Sequence, residues 1–99
     1  MNYNVIFAPE ASDDLESLLV YLIDEAGPET ARSYVGKIVD YCLSFKTFPK
    51  RGALRDDLRP GLRVVGYRGK ASIAFVVEGN AVLILRVFHR GQDVSFDDH

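Results

Sequence analysis

After a long stretch of helical spacing, the hydrophobic period of this chain switches at Phe48-Pro49 to strand spacing. That switch restricts the fold to a helical layer packed on a sheet. Before it, Ala11, Leu15, Leu18, Leu19, Leu22, Ile23 and Ala26 recur three or four residues apart, which predicts one apolar face of an amphipathic helix. Pro9 suits its first position, where a missing N–H costs nothing, although Ala8 has no side-chain oxygen to cap it. Glu10, Asp13 and Asp14 favour the positive end of its dipole. Gly27-Pro28 stops this helix and starts a second. There Ala31, Tyr34, Val35, Ile38, Cys42 and Phe45 repeat the pattern to about Phe48. Two helices joined so tightly make an αα-hairpin.

The strand signals lie on either side. Tyr3–Phe7 is aromatic and β-branched, with Tyr3, Val5 and Phe7 on one face. After a basic, turn-rich stretch, Lys50–Gly61, come Leu62–Tyr67, Lys70–Glu78 and Ala81–Phe88, the last two joined by the hairpin signal Gly79-Asn80. The expected fold class is α+β, in the order β-α-α-β-β-β. Its N-terminal αα-hairpin packs on a mainly antiparallel four-stranded sheet, which the first strand must join to avoid standing alone. Residues 1–99 suffice for one domain, and the polar stretch 91–99 is expected to fray.

Several function classes are excluded early. The lone Cys42 allows neither an intramolecular disulfide nor a cysteine-based zinc site. No Gly-rich phosphate loop or dinucleotide fingerprint occurs, and His89 and His99 lack metal-ligand spacing, so no cofactor or metal is expected. No serine stands in a hydrolase elbow. The N-terminus has no basic leader and Ala81–Phe88 is too short to cross a bilayer, so the expected location is cytoplasmic, without a membrane partner.

Charge is the more informative signal. The formal net charge is −2, but residues 1–45 carry −6, residues 46–90 carry +7, and the last nine carry −3. A chain polarised in this way can present a basic face to an anionic partner, or neutralise itself internally. Lys50, Arg51, Arg55, Arg59 and Arg63 come at near-regular spacing, and the meander brings Arg68, Lys70, Arg86 and Arg90 near them. They form either a surface for RNA, DNA or an acidic protein, or a solvated loop paired with Asp56, Asp57 and the helix acids. The helix carboxylates read as a solvated face.

Arg86 interrupts an otherwise apolar strand. Regular alternation puts it with Val82, Ile84 and Phe88, opposite Leu83, Leu85 and Val87. It either faces a ligand groove or pairs with Asp93 or Glu78. His89, three residues on, falls on the opposite face, so a joint acid/base site with Arg86 needs a bulge or a strand end at Phe88. Tyr67 is a further candidate acid that packing explains equally well.

Three segments resemble the RelE/ParE superfamily of toxins, its ParE branch in particular. Phe7-Ala8-Pro9-Glu10-Ala11 with Asp14-Leu15 is similar to the family's opening of the first helix. Phe48-Pro49 with Gly52, then Asp57-Leu58-Arg59-Pro60-Gly61-Leu62-Arg63, resembles the ParE-type middle and is the most specific element. Val82–His89 resembles its last strand. Ala8 stands where the family has a serine, and Gln92 where it has an arginine.

The resemblance implies the toxin of a type II toxin–antitoxin module. Its partner is a ParD-like antitoxin whose C-terminal segment wraps it in a hetero-oligomer, and the toxin alone does not bind DNA sequence-specifically. An amphipathic helix can dock on a helix-hairpin groove, so Leu15, Leu19, Leu22 and Tyr34 are the expected antitoxin contacts. ParE-like members poison DNA gyrase without catalysis, which makes Arg59, Arg63, Arg86, His89 and Arg90 the expected target contacts. RelE-like members cleave mRNA on the ribosome, and that alternative would recruit Arg63, Arg86 and His89. A non-toxic interaction domain is the third reading.

Overall fold

The computed structural model describes residues 2–89; Arg90, Gln92, Asp93 and the rest of the stretch beyond His89 lie outside the described residues. The elements are β1 (Asn4–Phe7), α1 (Pro9–Ala26), α2 (Pro28–Leu43), a 3₁₀ turn (Ser44–Lys46), β2 (Ala53–Leu54), β3 (Arg63–Tyr67), β4 (Ala71–Glu78) and β5 (Ala81–His89). Among the described residues five strands form one sheet in the order β1-β5-β4-β3-β2. β1 runs parallel to β5 and the other neighbours are antiparallel. The α+β class and the helix hairpin are as expected.

Three details differ from the sequence reading. The turn-rich stretch contributes an extra edge strand, β2, whose Ala53 and Leu54 pair with Val64 and Arg63. Gly52 (φ 76°) makes that pairing possible, because a Cβ there would sit 2.4 Å from the Val64 carbonyl oxygen. The second helix stops at Leu43 rather than near Phe48, continuing only as the 3₁₀ turn. Arg51 reaches back to this end. A terminal nitrogen donates to the Ser44 carbonyl at 3.4 Å, its Nε donates to the Phe48 carbonyl at 2.7 Å, and its guanidinium lies 4.7 Å from the Phe45 ring centre, so a cation meets the helix's negative end.

The third difference is a bulge in β5. Ala74 opposes Arg86 while Phe75 opposes Ile84, which leaves Leu85 as the extra residue. Alternation therefore inverts there. Val82, Ile84 and Val87 belong to the core under the helices, whereas Leu83, Leu85 and Phe88 line the sheet's other face. Arg86, opposite Ala74, shares that second face with Phe88 and not with Val82 and Ile84.

Gly27, at φ 91°, links the two helices: its N–H donates to the Ile23 carbonyl and its own carbonyl accepts from Ala31 N–H, each at 3.0 Å. At its other end α1 has no side-chain cap; Ala8 N–H instead donates to the Ile84 carbonyl at 2.8 Å, tying the helix start to β5. The main core packs Ala11, Leu18, Ile38, Cys42 and Phe45 onto Ile73, Phe75, Val82, Ile84 and Val87. The Phe45 and Phe75 rings lie 4.8 Å apart. A smaller cluster of Leu62, Ala74, Val76 and Phe88 occupies the opposite face, with Leu58 and Val64 against it.

Candidate functional site

The basic stretch folds into a closed lobe. Arg55 N–H donates to the Leu62 carbonyl at 2.7 Å, and Gly61 N–H donates to the Asp56 carboxylate at 2.8 Å. Gly61 takes φ 76°, and Leu62 is fully buried while Leu58 packs against the second cluster. The Leu58-Arg59-Pro60-Gly61-Leu62-Arg63 string thus has a local reason: two leucines anchor, a left-handed glycine turns the chain, and an aspartate holds the turn.

The lobe's arginines divide by partner. Arg55 donates twice to Asp57, at 3.0 and 2.9 Å. Those bonds hold the Asp57 carboxyl below its usual range and raise Arg55, but both side chains are exposed and the pair contributes little. Arg51 is committed to the helix end. Among the described residues no carboxylate pairs with Arg59, which is exposed, or with Arg63, which is half-buried in β3.

Arg86 is held from an unexpected direction. Its Nε and a terminal nitrogen donate to the Asp14 carboxylate of α1 at 2.7 and 2.9 Å, and Val87 N–H donates to the same carboxylate at 2.9 Å. The hydrogen bonds to Asp14 push the Arg86 guanidinium further up from its already high pKa. The partner is Asp14 where Glu78 was one expectation, and Asp93, the other, lies outside the described residues. Asp14 is not part of a solvated acidic face. β1 pairs with β5 only as far as Ile84, so beyond that point α1 presents a carboxylate where a strand would have supplied carbonyls.

His89 ends β5 on the helix side, opposite Ala71. Its ring lies 5.9 Å from that of Tyr21 and 6.4 Å from that of Tyr34. With Asp14, Ser17, Leu18, Tyr21 and Val87 it lines a cleft of about 260 Å³.

The structure does not bring Arg63, Arg86 and His89 together. Arg63 stands level with Phe75 and His89 level with Ala71, four residues further along β4. That is about 13 Å along the strand, with β4 itself in between. Arg86 and His89 leave opposite faces because the bulge precedes both. Tyr67 packs against the main core, its ring 4.8 Å from that of Tyr41. Arg90 lies outside the described residues. Of the five expected target contacts, then, Arg59 and Arg63 have no carboxylate partner among the described residues, and Arg86 is tied to Asp14.

On the helix hairpin, Leu15, Leu22 and Tyr34 are half-buried against the main core. Leu19 is half-buried as well. The more exposed apolar side chains of α1 are Val20 (63% exposed), Tyr21 (53%) and Ile23 (39%). Sequence periodicity missed Val20 and Tyr21 because they fall outside the regular apolar stripe. It missed the role of Asp14 because charge patterning treats every helix acid alike; its place in the Asp14-Leu15 motif was the available signal. Among the described residues no cluster of three or more histidine, cysteine or acidic side chains is arranged to hold a metal ion. None of the described helices is long and apolar enough to cross a membrane.

A family model described as the ParE toxin of type II toxin–antitoxin systems, parDE, matches residues 5–94. No curated protein matches the sequence significantly. Among solved structures, the chromosomal ParDE toxin–antitoxin system from P. aeruginosa is similar with a TM-score of 0.76 and 27% identity, over 88% of this chain and 95% of that one. The toxin–antitoxin complex RelBE2 from Mycobacterium tuberculosis is similar with a TM-score of 0.68 and 25% identity, over 93% of this chain and 95% of that one.

Proposed function

This chain belongs to the ParE toxin family of type II toxin–antitoxin systems, and from that premise we propose that it arrests growth by poisoning DNA gyrase without catalysing a reaction itself. The observation that carries the non-catalytic reading is the dispersal of Arg63, Arg86 and His89. Phosphodiester cleavage needs a general base, a general acid and a phosphate clamp within hydrogen-bond reach of one scissile group. Here the three stand at different levels or on different faces of the sheet, and Arg86 is held by Asp14. What the chain offers a macromolecular target is a hydrogen-bonded lobe with Arg59 exposed and Arg63 at its base.

The toxin is held in check in the cytoplasm by a ParD-like antitoxin. Two similar solved structures are toxin–antitoxin assemblies, which supports that partner. The antitoxin's apolar helix lies along α1, on Leu15, Leu19 and Leu22 and on the exposed Val20, Tyr21 and Ile23, with Tyr34 at the margin.

The test is a gyrase supercoiling assay with purified, antitoxin-free chain. Loss of supercoiling with accumulation of linear plasmid is the expected result. Undisturbed supercoiling at a large excess of folded protein would reject the gyrase target and move attention to ribosome-bound mRNA.

A further inference from the structure

Away from the lobe and from α1, the turn between β3 and β4 faces α2 across a cleft of about 370 Å³. Three cations converge on it: Lys37 from α2, and Arg68 and Lys70 from the turn. Two tyrosines form its floor. Lys70 Nζ lies 5.1 Å from the Tyr34 ring centre and the Arg68 guanidinium 5.6 Å from that of Tyr67. Ser33 adds a hydroxyl.

The backbone makes the cleft more than a chance gathering of lysines. Arg68 has φ 51° and Gly69 φ 67°, a tight two-residue turn with both central residues left-handed. Asparagine, aspartate or glycine is the usual occupant of the first position, and Arg68 is the one non-glycine residue with positive φ among those described. A long cation is thus held over the cleft at a position where it strains the chain.

Among the described residues no ion pair neutralises these charges. Glu29 lies at one end of the cleft and Asp40 in the hollow beyond Lys37 and Arg68. Neither forms an ion pair with the three cations; the ion pairs among the described residues are Arg55–Asp57 and Arg86–Asp14. The chain as a whole carries −2, so this positive cleft does not reflect general basicity.

Cations interleaved with aromatic faces are the chemistry of single-strand nucleic-acid binding, in which phosphates meet Lys and Arg and bases lie against rings. The volume falls within the range of small-ligand sites. We propose that this cleft binds a nucleotide unit, its phosphate on Lys37, Arg68 and Lys70 and its base against Tyr67, independently of base sequence. The unit belongs either to a single strand or to a free mononucleotide.

The test is fluorescence anisotropy of a labelled ten-nucleotide oligo-dT with the full chain in low salt. The control variant is the triple substitution Lys37→Gln, Arg68→Gly and Lys70→Gln, whose glycine suits the left-handed turn and preserves the hairpin. The expected result is saturable binding, weakened at least about tenfold by the triple substitution at unchanged thermal stability. The dependence of affinity on salt should also become shallower, because fewer counterions are released. Competition by AMP would identify the mononucleotide as sufficient, and competition by unlabelled strand alone would identify the strand. Absence of binding, undiminished binding by the triple variant, or equal competition by a ten-residue polyglutamate peptide would overturn the proposal.

Discussion

Asp14 and Arg86, 72 positions apart, form a two-bond ion pair at 2.7 and 2.9 Å that fastens the first helix to the last strand. The same carboxylate accepts Val87 N–H at 2.9 Å, so a single side chain holds β5 just after its bulge. Asp14 is mostly buried and Arg86 about one-third exposed, which places the pair between a surface ion pair and a buried one.

Asp14→Ala is expected to destabilise the fold by about 1.5–3 kcal/mol, the range for hydrogen bonds to charged groups. Urea denaturation of Asp14→Ala, Arg86→Met and the double variant would measure the coupling. A coupling above about 1 kcal/mol is expected, and additivity within about 0.3 kcal/mol would show that the two residues act independently.

Arg59→Ala and Arg63→Ala are expected to weaken gyrase inhibition by about tenfold each, equivalent to about 1.4 kcal/mol of target binding. Neither side chain pairs with a carboxylate among the described residues, so antitoxin affinity and thermal stability should hold. Dose–response in the supercoiling assay, with growth curves after induction, is the measurement. Unchanged potency in both variants would remove the lobe from the target interface.

Val20→Asp is expected to lower antitoxin affinity by more than about tenfold while leaving the fold intact, since Val20 is 63% exposed. Leu18→Asp, two positions earlier on the same helix but buried, should instead unfold the chain. Calorimetric titration with the antitoxin against circular dichroism separates the two effects. Native affinity in a folded Val20→Asp variant would place the antitoxin elsewhere.

Cys42 supplies a pH dependence. Burial pushes its thiol from 9.0 up to about 12. The folded state therefore keeps a proton that the unfolded state releases above about pH 9, and stability falls as pH rises from there. The slope from this group is at most about 1.4 kcal/mol per pH unit. Urea midpoints from pH 8 to 11 should decline more steeply for the natural chain than for Cys42→Ala. Parallel declines would show that the thiol does not contribute.

The layer architecture was legible because it follows from local rules. The period-3.6 run through Ala11, Leu15 and Leu18, the break at Gly27-Pro28 and the hairpin signal Gly79-Asn80 each act within a few residues, and each stands where local chemistry puts it. Family membership was legible from three short segments, of which Leu58–Arg63 closes its own lobe through contacts within a few residues. Less of the site could be read. Arg59 and Arg63 stood out as surplus charge, but which arginines find carboxylates depends on contacts that cross the fold.

Two amphipathic helices, four of the five described strands in their chain order, and the charge asymmetry of the two halves could be read from the residues alone. The bulge at Leu85 in β5, the departure of Arg86 from the core face and its pairing with Asp14 follow from packing across the fold. A one-residue slip in a strand exchanges its two faces without changing the local residue pattern. The choice is settled by what packs on each side: Val87 against the helices, and Arg86 against the Asp14 carboxylate.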